Sequence, residues 1–74
     1  MLKAIPWHTK ATIIVHRYPP YRGTLLVCVR QWYELPAKDK TTALIRLDSG
    51  IFGDPVLHPR AIQKLTEEPE FFSL

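Results

Sequence analysis

Hydrophobic and polar positions alternate in three stretches of the chain, each with the two-residue period of a β-strand. In residues 11–18, A-T-I-I-V-H-R-Y, the alternation sets Ile13, Val15 and Arg17 against Thr12, Ile14, His16 and Tyr18. In residues 24–33, T-L-L-V-C-V-R-Q-W-Y, it sets Leu25, Val27, Val29, Gln31 and Tyr33 against Leu26, Cys28, Arg30 and Trp32. In residues 41–48, T-T-A-L-I-R-L-D, it sets Ala43, Ile45 and Leu47 against Thr42, Leu44, Arg46 and Asp48. The middle run is the longest and most apolar. Its β-branched and aromatic residues, with Gly23 just ahead, predict a central strand rather than a ten-residue helix.

Between these runs lie breakers. Pro19 and Pro20 have no N–H to give a ladder and Gly23 tolerates a turn, so P-P-Y-R-G predicts the turn of a hairpin. E-L-P-A-K-D-K, residues 34–40, reads as a loop. Ser49-Gly50 and Gly53-Asp54-Pro55 mark turns around Ile51-Phe52, with room for a fourth short strand at Val56-Leu57. Pro59 suits the first position of a helix, where a missing N–H costs nothing, and Pro69 stops that helix near Glu68. The helix turns Ala61, Ile62 and Leu65 towards the sheet.

The expected fold is a single small α+β domain. Residues 1–10 form an irregular lead-in, 11–57 a three- to four-stranded antiparallel meander, 58–68 one C-terminal helix and 69–74 an apolar tail. The helix covers the face bearing Ile13, Val15, Val27, Ile45 and Leu47. The reverse face then gathers His16, Tyr18, Arg30, Trp32 and Arg46, with Arg17 and Arg22 beside it. These are residue types that dominate interfaces, which makes them the expected partner-binding set. Phe71, Phe72 and Leu74 form a second apolar contact. If the lead-in or the tail instead folds over the reverse face, the alternative is an SH3-like small barrel.

Length and charge sharpen this picture. At 74 residues a chain buries only about 60% of its unfolded surface, and a partner or a second copy commonly adds stability. One cysteine excludes an internal disulfide, and Cys28, His8, His16 and His58 lack the close pairing of zinc ligands. The net charge is +3. Up to Tyr33 the chain carries Lys3, Lys10, Arg17, Arg22 and Arg30 and no acid, for +5; from Glu34 onward five bases meet seven acids, for −2. That asymmetry points the first half at an anionic or acidic partner. No run approaches the ~20 apolar residues of a membrane span, and the first ten residues lack a secretion signal's apolar core. The expectation is a soluble, cytoplasmic protein.

The chemistry for catalysis is thin. Strands at 11–18 and 24–33 put Cys28 and His16 on one face, but no third orienting group or oxyanion hole accompanies them, and no glycine-rich phosphate loop is present. No enzymatic activity and no cofactor are expected. The expected function is that of a non-enzymatic accessory or regulatory protein docking on a protein or ribonucleoprotein partner. Nucleic-acid binding by the same face is the alternative, since aromatic platforms with cations hold single strands. R-Y-P-P-Y, from Arg17, and Q-W-Y-E, from Gln31, resemble the SymE-like toxins, which are related to the AbrB DNA-binding fold. The spacing between the halves differs by one, the glycine expected near Ala37-Lys38 is absent, and the C-terminal helix has no counterpart. The resemblance implies nucleic-acid binding.

Overall fold

The computed structural model describes residues 5–48 and 56–73. They form the α+β domain with an antiparallel sheet and a C-terminal helix that the alternation predicts. The strands are β1 (Lys10–Ile14), β2 (Tyr21–Thr24), β3 (Leu44–Leu47) and β4 (Val56–Leu57). The helices are α1 (Leu25–Glu34), α2 (Ala37–Lys40) and α3 (Pro59–Thr66), and a 3-10 turn follows at Pro69–Phe72. The sheet is open, in the order β2-β1-β3-β4 with every neighbouring pair antiparallel. The turn signals at 49–55 and Leu74 lie outside the described residues.

The largest departure from the sequence-based expectation is the run at 24–33, which is a helix and not the central strand. Leu25, Cys28, Val29 and Trp32 are all buried and stand at i, i+3, i+4 and i+7, the stripe of one helical face. The start is fully provided for. A helix leaves its first N–H groups without internal partners; here Leu25 N–H donates to Thr9 C=O at 2.8 Å, Leu26 N–H to Trp7 C=O at 2.9 Å, and Val27 N–H to the Thr24 side chain at 3.3 Å. Thr24 is thus an N-cap. Leu35 takes an extended conformation at the other end, as the residue before Pro36 should. The β-branched residues tolerate a helix because one face is buried, and burial outweighs propensity.

With 24–33 helical, the hairpin's second strand is the segment that the prolines had marked as a turn. Pro19 and Pro20 lie just before β2, an edge strand, where their missing N–H groups break no ladder. The chain reverses instead at His16–Tyr18: Tyr18 N–H reaches Val15 C=O at 3.1 Å, and Arg17 takes a positive φ of 76°, uncommon for a non-glycine residue. The order is therefore not a simple meander. β2 and β3 run the same way on either side of β1, and the chain passes between them through α1, which lies beneath the sheet, and then α2, the crossover that like-directed strands require.

The face assignments for β1 and β3 hold. Ala11, Ile13, Val15, Ala43, Ile45 and Leu47 are buried on the side that α1 covers, in one core with Ile62 of α3, while Ile14 and Arg46 are exposed. The chain ends close the core from the side. Trp7, 5% exposed, stacks on Phe71 at 5.9 Å and donates its indole N–H to Glu70 Oε1 at 2.7 Å. The lead-in and the tail cap the core beside α1 and leave the sheet open, so no SH3-like barrel forms among the described residues.

Candidate functional site

The strand register decides which charged residues meet. Thr12 on β1 lies opposite Arg22 on β2 and Arg46 on β3, and Arg46 lies opposite Val56 on β4. One row across the open face therefore reads Arg22, Thr12, Arg46, Val56. Two strand spacings separate the arginines' backbones, about 10 Å. Lys10 and Ile14 flank Thr12 on the same face of β1, and Leu44 flanks Arg46. Lys10, Ile14, Arg22 and Arg46 are exposed and Leu44 half-buried.

Asp48 answers Arg22 with an ion pair between exposed side chains, held where the Asp48 N–H bonds back to Lys10 C=O at 3.1 Å. Arg46 has no ion-pair partner among the described residues. Thr12, Arg22, Arg46, Leu47 and Asp48 line a shallow hollow of about 440 Å³. Lys10, Arg22 and Arg46 against Asp48 leave the face at +2. Among the described residues it carries aliphatic surface between its cations and no aromatic ring.

The seven residues predicted as the partner-binding set are dispersed. Arg22 and Arg46 do share the open face. His16, Arg17 and Tyr18 lie in the β1–β2 turn, all exposed, and His16 and Arg17 border a hollow with Lys38, Asp39 and Thr42. Arg30 and Trp32 leave the set's sheet face altogether, because their run is helical. Trp32 is 2% exposed, donates its indole N–H to Lys40 C=O at 3.2 Å and lies under the Lys40 ammonium at 5.3 Å. It is a core anchor between α1 and α2 and cannot meet a partner. Arg30 lines a different hollow, with Tyr33, Glu34, Phe71 and Phe72; Phe71 is buried and Phe72 is 64% exposed. What sequence reasoning missed is Tyr33, half of an exposed aromatic pair with Phe72 at 5.7 Å. The helical stripe at 25, 28, 29 and 32 would have turned Tyr33 outward with Arg30.

The Cys28–His16 pair likewise disappears with the strand that would have made it. Cys28 is fully buried in α1, and burial pushes its thiol pKa above the ordinary value, opposed by the Gly23 and Ile13 backbone groups that hydrogen-bond it. A thiol held protonated and shut from solvent is a poor nucleophile. Among the described residues no three His, Cys, Asp or Glu side chains converge as metal ligands, and no helix is long and apolar enough to cross a membrane.

No protein-family model, curated protein or solved structure matches the chain. The Gln31–Glu34 half of the resemblance to SymE-like toxins falls within α1.

Proposed function

We propose that this protein is a non-enzymatic docking module whose open sheet face engages an acidic protein surface. The observation that carries the reading is the row Arg22–Thr12–Arg46 on an uncovered face, with Ile14 and Leu44 as apolar neighbours. Arginine presents a planar fork suited to carboxylates, and Asp48 on Arg22 already stands where a partner's carboxylate would. Aliphatic surface between the cations favours a protein over nucleic acid, because the indole that would have stacked on bases lies in the core. The unpaired thiol fits a reducing compartment such as the cytoplasm. Nucleic-acid binding is the second reading, and what favours it is the exposed stretch from the β1–β2 turn into β2, where Arg17 and Tyr18, then Tyr21 and Arg22, set cations next to aromatic residues in the chain.

Pull-down from the source organism with wild type and Arg22→Gln/Arg46→Gln, one arm treated with nuclease, separates these readings. A protein partner that survives nuclease and is lost with the double variant is the expected result. Loss on nuclease alone transfers the function to nucleic acid, and in that case binding falls steeply with salt as phosphate contacts are made. Retention by the double variant removes the sheet face from the function.

A further inference from the structure

On the molecule's flank, away from the open sheet face, α1 and the C-terminal 3-10 turn build a second surface of different character. Arg30, Tyr33, Glu34, Phe71 and Phe72 line a hollow of about 390 Å³. Its rings form a connected cluster: Phe71 and Phe72 meet edge to face at 4.9 Å, Tyr33 packs on Phe71 at 5.9 Å and on Phe72 at 5.7 Å. Phe71 seals the core, whereas Phe72 is 64% and Tyr33 44% exposed. Two large rings held rigidly in water, side by side, are what a contact surface presents.

The charges on this hollow say what fits it. Arg30 and Glu34 are one helical turn apart, about 6 Å along α1, and their charges cancel. The lining of the hollow has no net sign with which to select an acidic or a basic partner, although the Lys40 ammonium lies 5.2 Å from the Tyr33 ring beside it, and the lining matches its own image. When two α1 helices lie antiparallel about a two-fold axis near position 32, Arg30 of each copy faces Glu34 of the other and the Tyr33–Phe72 pairs meet at the centre. An isologous interface requires this self-complementarity. Arg30 already holds a contact within its own chain, so the pairing is an exchange of partners. We infer that the Tyr33–Phe72 patch is the interface of a homodimer in which two α1 helices pair antiparallel, leaving both basic sheet faces free. The patch is small, which places the dimer at the weak end of specific interfaces.

Sedimentation equilibrium of the purified chain from about 5 µM to 1 mM tests this directly. The weight-average mass should rise from 8.6 kDa towards twice that value, with a modest fall at high salt as the two Arg30–Glu34 contacts are screened. Phe72→Asp, at an exposed position, should keep the circular dichroism of wild type and weaken association at least tenfold. Arg30→Glu alone should also weaken it, and Arg30→Glu/Glu34→Arg should restore it. A wild type that stays monomeric throughout overturns the inference, as does a dimer indifferent to Phe72→Asp. Failure of the double reversal to rescue overturns the antiparallel arrangement. Arg22→Gln/Arg46→Gln should dimerise like wild type, so loss of the dimer and loss of the sheet-face partner are separable results.

Discussion

The two faces of one sheet have been put to opposite uses. On the covered face Ala11, Ile13, Ile45 and Leu47 are at most 3% exposed, beneath α1. On the other, successive residues of the same strands, Lys10, Ile14 and Arg46, stand in solvent. Alternation along a strand makes such a division available to any antiparallel sheet. Here the helices of the described residues cover one face, and the charged face is the one left open. Stability should therefore reside on the covered side and be nearly indifferent to the open side.

The strongest way to break that division is Trp32→Ala. It removes a buried indole, its bond to Lys40 C=O and the cation above its ring, and should cost about 3–5 kcal/mol. In a domain this small that is most of the stability, so chemical denaturation should show a largely unfolded protein at room temperature. A loss under about 1 kcal/mol would mean that Trp32 is not the anchor described here. Thr24→Ala tests the start of α1. Losing the side-chain acceptor for Val27 N–H should cost about 1 kcal/mol, read as a shifted denaturation midpoint, with Thr24→Ser recovering most of it.

Cys28 sharpens the comparison through pH. Its folded pKa is raised by burial above an ordinary value of 9.0. Below that value the thiol is protonated in both states and contributes no pH dependence. Above it the unfolded thiol ionises first, so stability falls as pH rises. Relative to Cys28→Ala, wild type should lose stability progressively above pH 9, and the native thiol should react with a disulfide reagent far more slowly than the unfolded one. Equal reactivity in the two states would contradict the burial. The smallest effect belongs to the open face: Arg22→Gln/Arg46→Gln removes one exposed ion pair and should change stability by no more than about 0.5–1 kcal/mol, while abolishing partner binding.

The contrast between α1 and β3 shows how far local pattern reaches. Both runs alternate, and both can be read with period two. In β3 the reading is right: Ala43, Ile45 and Leu47 are buried and Arg46 is out. In α1 it fails because the same ten residues also satisfy period 3.6. Thr24 as a cap and Pro36 just beyond the end were the signals that favour the helix; the valines and aromatics drew the other way. That single ambiguity moved Arg30 and Trp32 off the sheet and dissolved the expected seven-residue site. Arg46 was correctly placed facing away from the core, whereas Arg22 had been assigned to a turn, and the register of β2 on β1 brings it onto the same face.

From the sequence alone came the α+β class, the inner and outer sides of β1 and β3, the helix opening at Pro59 and the surplus of positive charge before Glu34. All of these rest on interactions within a few residues or on composition. The helical state of 25–34, the burial of Trp32, the crossover that brings β3 beside β1, and the pairing of Arg22 with Arg46 across Thr12 were decided only in three dimensions. Each depends on which apolar stripe finds a surface to cover, and that surface is built by residues distant in the chain.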